Sequence, residues 1–171
     1  MAATYPAAVV SRSHPRRKRA FSLIELVIVV VIIGIVAAIA IPRMSRGSEG
    51  AAESALVGDL SVMRKAIDLY TVEHIGDFPT SAGGFADQMT IFTNLNGATS
   101  PSQGGGFIYG PYLRAVPPLP VGAQKGQTRI KVPPADGTPG FGWVYNASNG
   151  TIVANTGAGE KSAKGKSFNT F

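Results

Sequence analysis

Glu25 is the residue whose position in this sequence most needs a chemical explanation. It lies four residues after Phe21 inside an apolar block, residues 21–41, whose only polar interruptions are Ser22 and Glu25 itself. A carboxylate inside a bilayer costs about 3 kcal/mol or more unless it is paired or kept near the membrane surface. Glu25 therefore predicts a cationic partner close to the start of the block.

The other titratable residues give little support for an enzyme or a metal site. The chain has no cysteine, and its two histidines, His14 and His74, lie on opposite sides of the apolar block. The sequence contains no G-x-S-x-G motif and no cluster with metal-ligand spacing, and glycines 104–106 lack the strand-to-helix context of a phosphate loop. His74 is expected at the surface or at a helix C-cap. The sequence thus predicts a protein that is not an enzyme and that needs no cofactor.

The excess of basic charge is concentrated before the apolar block. The formal net charge of the chain is +6, and residues 1–20 contain basic residues but no acid. Such a cluster beside a membrane-length block indicates a cytoplasmic N-terminus, with the bulk of the chain beyond the membrane. It does not have the groove-like spread with interleaved aromatics that is typical of a nucleic-acid surface, so no nucleic-acid partner is predicted. The basic residues are Arg12, Arg16, Arg17, Lys18 and Arg19.

Two helical segments are expected to follow the leader. Residues 21–42, which are the apolar block with Pro42 at its end, are predicted to form a transmembrane helix, because a helix needs about 20 residues to cross a bilayer. Pro42, Gly47 and Gly50 come next and make helix continuity doubtful between about residues 42 and 50. Residues 43–75 have the pattern of an amphipathic continuation of the helix, because apolar residues recur every three or four positions. These residues are Leu56, Leu60, Met63, Ile67 and Tyr70.

The remaining sequence predicts a small head, residues 76–156, built from loops and short strands. Residues 76–106 have loop composition, with one short helix or strand near 89–95. Strand-like runs follow at 107–113, 128–132, 141–145 and 151–154, and the Asn-Gly ending of segment 146–150 predicts a hairpin between the last two. Residues 157–171 are expected to form a mobile tail. The predicted fold class is α+β, with a long N-terminal helix, transmembrane in its first half, and a small C-terminal antiparallel sheet packed on its distal half.

The basic leader, the run FSLIEL at residues 21–26 and Pro42 together closely resemble the class III signal of type IV pilins and type II secretion pseudopilins. The resemblance implies that a prepilin peptidase cleaves between Ala20 and Phe21, and that Phe21 is then N-methylated. The family usually has Gly before the cut, so Ala20 departs from its pattern. The residues GPYL at 110–113 and the prolines at 117, 118 and 120 resemble a segment of the major pseudopilins. The leader residues implied in recognition are Arg16, Arg17, Lys18 and Arg19.

The same resemblance gives roles to residues of the apolar block. It implies that the Glu25 carboxylate pairs with the Phe21 amine of a neighbouring subunit, so that joining a filament removes an unpaired charge from lipid. Gly34, and with it the small residues at 37, 38 and 40, would let helices approach closely in the filament core. Pro42 is a further expected assembly residue.

The implied partners are identical and related pseudopilin subunits, the prepilin peptidase and methyltransferase, the inner-membrane platform of a secretion system, and membrane lipid. The implied location is the bacterial inner membrane, crossed once, with the N-terminus in the cytoplasm and the head in the periplasm. A filament would form after assembly. The expected function is therefore that of a structural filament subunit that supports protein export.

Two alternatives remain open. Because many adhesive pilins close their C-terminal region with a disulfide, the absence of cysteine favours a secretion pseudopilin over a type IV pilus pilin that serves adhesion, motility or DNA uptake. A less favoured alternative is a conventional signal peptide ending in the A-x-A pattern at residues 38–40, which would release a soluble binding protein. Major pseudopilins often hold calcium near the C-terminus, but Asp136 and Glu160 are the only acids after residue 100, so calcium is not predicted.

Overall fold

The computed structural model describes residues 21–80 and 82–171, without the side chains of residues 41–46 and 82. The chain divides into two compact units, Met1–Ile41 and Pro42–Phe171. The fold is α+β, as the sequence predicts. Its elements are α1 (Leu23–Glu73), α2 (Ala82–Thr90), β1 (Phe92–Thr93), β2 (Thr99–Ser100), β3 (Ile130–Lys131), β4 (Trp143–Asn146), β5 (Thr151–Ala154) and a 3-10 turn (Phe168–Thr170).

Helix α1 has 51 residues and continues through residues 42–50, where the sequence made its continuity doubtful. Pro42 removes one backbone donor, and Gly47 and Gly50 cost about 1 kcal/mol each relative to alanine. Helix propagation is cooperative, so good helix formers on both sides carry the helix across these local penalties. At the end of this stretch, the Gly50 carbonyl accepts a hydrogen bond from the Ser54 hydroxyl at 2.9 Å.

The distal part of α1 supplies one side of the hydrophobic core. The apolar stripe predicted from the sequence is confirmed, because each of its five residues is at most 2% exposed. Each large apolar side chain buried in this way contributes about 1.5–3 kcal/mol. The stripe packs against α2 and the sheet. The largest buried residues of α2 are Phe85 and Met89, and those of the sheet are Trp143, Tyr145 and Ile152.

The predicted hairpin is confirmed, but the sheet that contains it is mixed. Strands β4 and β5 pair antiparallel, with Trp143 opposite Ala154 and Tyr145 opposite Ile152. Strand β3 pairs parallel to β4, with Ile130 opposite Trp143, so the expectation of a purely antiparallel sheet was wrong. The segment between β3 and β4 is long enough to cross over and bring the two strands into the same direction, which a tight turn cannot do.

The predicted strand at residues 107–113 is not formed. Strands β1 and β2 instead make a separate two-stranded antiparallel sheet, and Tyr109 contributes only an isolated bridge to Thr93. Gly110, at φ +72°, and Pro111, which has no N–H to donate, prevent extension of this bridge into a strand. The short helix or strand expected near residues 89–95 corresponds to the end of α2 and to β1.

The C-terminal segment, expected as a mobile tail, packs against the rest of its unit. The Arg64 guanidinium donates hydrogen bonds to the carbonyl oxygens of Ile152, at 3.2 Å, and Phe171, at 2.6 Å. Phe168 and Phe171 pack against the core as partly buried side chains. The small and polar composition of residues 157–167 predicted mobility, and no local pattern in the sequence indicated that Arg64 would bind the end of the segment.

Candidate functional site

The N-terminal end of α1 places a carboxylate one helical turn from Phe21. Phe21 and Ser22 precede the helix, and the Ser22 carbonyl accepts a hydrogen bond from the Leu26 N–H at 3.2 Å. Glu25 is the acid of the first turn. Unpaired N–H groups give this end of a helix a partial positive charge, which an acidic side chain stabilises. A free amine at Phe21 would add a full positive charge at the same end, and Glu25 is the nearby group able to balance it.

The side chains that follow are not covered by the rest of the chain. From Phe21 to Ala40 every described side chain is exposed, except those of Ala37 and Ala40, which are half-buried. An added Cβ at Gly34 would meet no heavy atom of this chain within 4 Å. The span Leu23–Ala40 is long and apolar enough to cross a bilayer, and it is the one such span among the described residues. This surface therefore requires lipid or other protein chains around it.

Comparison with known proteins identifies this segment. Residues 15–41 match the family model of the prokaryotic N-terminal methylation motif. The chain fits a type IV pilin-like protein. The match covers residues 15–20 of the leader, the cleavage region and the apolar helix, and it supports processing by a prepilin peptidase, anchoring in a membrane and assembly into pilin-type filaments. This motif is typical of structural subunits and not of an enzyme family.

No curated protein and no solved structure matches the chain. Among the residues predicted for the N-terminal site, Phe21, Glu25 and Gly34 lie on the described helix or directly before it. Arg16, Arg17, Lys18, Arg19 and Ala20 lie outside the described residues. Pro42 lies within α1, one residue beyond the matched segment.

The segment GPYL at residues 110–113 forms hydrogen bonds with both α1 and α2. The backbone N–H groups of Tyr112 and Leu113 donate to the Met89 carbonyl at 2.9 and 2.8 Å. The Tyr112 hydroxyl donates to the Glu73 carboxylate at 2.6 Å. Burial, reinforced by this hydrogen bond, raises the pKa of Tyr112 well above its usual range. The segment thus holds the end of α1 against α2.

His74 occupies a buried position that the sequence analysis missed. It is 1% exposed, so the expectation of a surface position was wrong, whereas the alternative expectation of a helix C-cap agrees with its place directly after Glu73, the last residue of α1. Its ring stacks on Tyr70 at 3.7 Å between centroids, and its Nδ1 lies 2.8 Å from the Tyr70 carbonyl. A carbonyl oxygen only accepts, so Nδ1 carries the proton. The signal was present, because residue 74 continues the four-residue spacing of the buried stripe.

We expect replacement of His74 by Phe to stabilise the head. His74 Nε2 has no hydrogen-bond partner among the described residues, and a buried polar atom without a partner costs about 1–3 kcal/mol. Phe keeps the stack on Tyr70, whose carbonyl still accepts the backbone N–H of residue 74. Thermal unfolding of the full chain in detergent should show a gain of about 1 kcal/mol. His74→Ala should lower stability by about 2 kcal/mol or more through cavity formation. Equal losses in both variants would contradict this account.

The two acids of the C-terminal region, Asp136 and Glu160, have partners within the protein. In the described part of the chain, no group of three or more His, Cys, Asp or Glu side chains could hold a metal ion. The two Glu160 carboxylate oxygens accept the backbone N–H groups of Ala123 and Gly157. Asp136 accepts from the Lys131 ammonium at 2.7 Å and from the Thr138 hydroxyl at 2.6 Å. Both acids therefore have protein partners, and their contacts link the loops of this region.

We predict that Asp136 makes the stability of the head sensitive to acid. Hydrogen bonds from the Lys131 ammonium and from Thr138 hold the pKa of this carboxyl well below its usual range. A group with a lowered pKa in the folded state stabilises the fold above its unfolded pKa, about 4 for Asp, and this contribution is lost as the pH falls further. The Tm difference between the wild type and Asp136→Asn should be clear near neutral pH and should shrink below about pH 4. A constant difference across this range would contradict the role of the charge.

Proposed function

We propose that this chain is a structural pseudopilin of a type II secretion-like system, anchored in the inner membrane and assembled into a filament through its N-terminal helix. The observation that carries the proposal is the combination of the matched methylation motif at residues 15–41 with an apolar helix face that the other described residues leave exposed. In the membrane, lipid covers this face. In a filament, copies of the same helix cover it.

Glu25 supplies the chemistry that would drive the exchange of lipid for protein. After cleavage between Ala20 and Phe21, each copy carries an amine at Phe21 and a carboxylate one turn away. The proposed pairing joins the Phe21 amine of one copy to Glu25 of the next, so each subunit both gives and receives one contact. The desolvation of both charges offsets much of the attraction. The pair therefore mainly determines the register between neighbouring helices and the direction in which subunits are added to the filament.

Gly34 and Pro42 have supporting roles in this proposal. The absence of a side chain at Gly34 leaves space for close approach of a neighbouring helix, which small residues permit in membranes. Pro42 lacks a backbone donor, and so α1 is one hydrogen bond weaker near the boundary of the two units. A local weakening would let the helix adjust to its neighbours. Recognition of Arg16, Arg17, Lys18 and Arg19 by the peptidase belongs to the same proposal.

Secretion is favoured over a pilus by two features of the head. The chain has no cysteine, so its C-terminal region is held by contacts such as those of Glu160 and Arg64 and not by a disulfide. The segment GPYL, which resembles one of the major pseudopilins, anchors the head to α1 through Tyr112 and Glu73. The partners proposed are further pseudopilin subunits, the peptidase and methyltransferase, and the secretion platform of the inner membrane, with the head in the periplasm.

The first test is the intact mass and N-terminal sequence of the protein recovered from native membranes. The proposal expects a chain that starts at N-methylated Phe21. A start at Ile41 would mean a conventional signal peptide, and an uncut chain would mean a plain membrane anchor, and either result would overturn it. Deletion of the gene then separates the two filament functions, because a pseudopilin mutant loses protein export, whereas a pilus mutant loses adhesion, motility or DNA uptake.

A further inference from the structure

The C-terminal end of α1 contains acidic residues but no Lys or Arg. Carbonyl groups without partners make this end of a helix partially negative, and natural helices commonly place Lys or Arg there. Here the last turn has no basic residue. Residues 66–80 contain no Lys or Arg, and their acids are Asp68, Glu73 and Asp77. The Asp77 carboxylate forms no ion pair with another described residue.

Asp77 lines a cavity of about 390 Å³ beside this helix end. Tyr70, His74 and Phe78 give it aromatic walls, and Asn96 adds an amide. Asp77 lies near enough to Tyr70 to raise the pKa of its phenol, together with burial as the larger cause. An aromatic cavity with a carboxylate at a negative helix end suits an ammonium group on an apolar stem, because the ammonium satisfies the carboxylate and the stem contacts the rings.

Two highly exposed apolar residues lie at or directly after the end of α1. Val72 and Ile75 are 79% and 80% exposed. Ile75 adopts φ +58°, a left-handed conformation that is a genuine outlier for a β-branched residue and costs on the order of 1–3 kcal/mol. The backbone N–H of Gly76 donates to the Thr71 carbonyl at 2.8 Å, so the left-handed Ile75 belongs to the turn that ends α1. Its exposed side chain is left available for contact with another molecule.

The opposite end of the same unit carries the candidate cation. Residues 157–171 contain three lysines, at 161, 164 and 166. Lys166 lies over the Phe171 ring at 4.0 Å, whereas Lys164 forms no ion pair with another described residue. Lys164 and Ala163 line a depression with Glu53 and Val57 of α1. Between Glu53 and Glu73 the helix advances roughly 30 Å, at about 1.5 Å per residue, so Lys164 is far from Asp77 of its own chain.

We propose that Lys164 of one copy enters the Asp77 cavity of a second copy, with Val57 and Ala163 against the exposed side chain of Ile75, which follows α1 between the lining residues His74 and Gly76. This inference rests on the proposed filament function and adds a second contact, between heads, to the one made by the N-terminal helices. The complementary charges lie at opposite ends of the unit, so the contact is heterologous and repeats from copy to copy instead of closing into a dimer.

Cysteine pairs give a direct test, because the native chain has none. The full-length variant Asp77→Cys/Lys164→Cys, assembled by the native machinery and treated with a short bismaleimide, should give a ladder of covalent dimers, trimers and longer multimers. Each single-cysteine variant should give no ladder. In the matched control Asp87→Cys/Lys164→Cys, the first cysteine instead replaces an exposed acid on α2. This variant should also give no ladder. A ladder of equal strength from the control, or none from the test pair, would overturn the contact.

Charge reversal tests the energetics of the same contact. Asp77→Lys and Lys164→Glu, made separately, should each lower the filament fraction sheared from cells on the order of tenfold, because like charges then meet. Combining them should restore most of it, and Asp87→Lys should have no effect. Asp77→Asn, which removes the charge with little change of shape, covers the case in which Asp77→Lys does not fold, and should also reduce assembly.

The outcomes separate the inference from the proposed function. If the wild type starts at methylated Phe21 and forms filaments, but the reversals neither impair nor rescue each other, the contact between Lys164 and Asp77 is wrong and the filament function stands. If the wild type forms no filaments at all, the proposed function fails and the inference fails with it. Ile75→Gly adds an independent readout, since it should relieve strain and raise Tm while reducing assembly.

Discussion

Replacing Glu25 with Ala will leave the chain inserted in the membrane but will exclude it from filaments. Insertion depends on the apolar span Leu23–Ala40, which the change makes more apolar. Assembly in the proposed filament depends on the charge, because the Phe21 amine of a neighbouring copy would enter an apolar core without a partner. Removing one member of a buried pair costs about 3–5 kcal/mol, so incorporation should fall by at least on the order of tenfold, even if the pair is partly hydrated.

The comparison with Glu25→Gln and Glu25→Asp tests whether charge is the property that matters. Gln keeps the size and hydrogen-bonding capacity of Glu and should fail like Ala, whereas Asp keeps the charge and should retain part of the activity. The measurement is the ratio of sheared to membrane-bound protein, with N-terminal mass to show that cleavage before Phe21 still occurs. Asp87→Ala is the matched control. Normal incorporation of Glu25→Gln would remove the role assigned to the carboxylate.

Replacing Trp143 with Ala should cause the largest loss of stability in the head. Trp143 is fully buried, at the centre of the core. It lies on the central strand of the mixed sheet, opposite Ile130 on one side and Ala154 on the other, and its indole N–H donates to the Pro117 carbonyl at 2.8 Å. Truncation of a buried Trp costs about 3–5 kcal/mol, a large part of the 5–15 kcal/mol that typically holds a domain together.

Two further variants test this explanation, one with a smaller change at the same position and one as a control at the surface. Trp143→Phe removes the hydrogen bond and part of the ring, and so should cost less than Trp143→Ala. Val132→Ala, at a half-exposed residue next to β3, should change stability by no more than about 0.5 kcal/mol. Circular dichroism during urea unfolding of the full chain in detergent measures all three. If Trp143→Ala cost no more than Val132→Ala, the assignment of the core centre would be wrong.

The parts of the fold that the sequence predicted are those set by local pattern. The stripe from Leu56 to Tyr70 follows from helical spacing, and the hairpin around Gly150 follows from turn chemistry, since that glycine has φ +69°. The parallel pairing of Ile130 with Trp143 could not be predicted in this way. It depends on contacts distant in the sequence, and a two-residue strand has almost no periodic signal.

The candidate sites likewise differ in whether they depend on a local sequence pattern or on contacts between residues distant in the sequence. The N-terminal site was predictable because its residues lie within one short segment with a fixed order of charge, small residue and apolar helix. The cavity beside Asp77 was not, because Asn96 and Tyr70 come together only in the folded head. The attachment of residue 171 to Arg64 was missed for the same reason, although the arginine itself was visible on the polar face of the helix.

The burial of Trp143 makes the head its own spectroscopic reporter. It is the single tryptophan of the chain, and it lies entirely within the core of the second unit, while the apolar span contributes no indole. Excitation at the red edge of protein absorbance therefore reports on the head alone. Its emission should lie toward the blue in the native head and shift to the red on unfolding, whether the protein is in detergent, in a bilayer or in a filament, so the folding of the head can be followed separately from the state of its anchor.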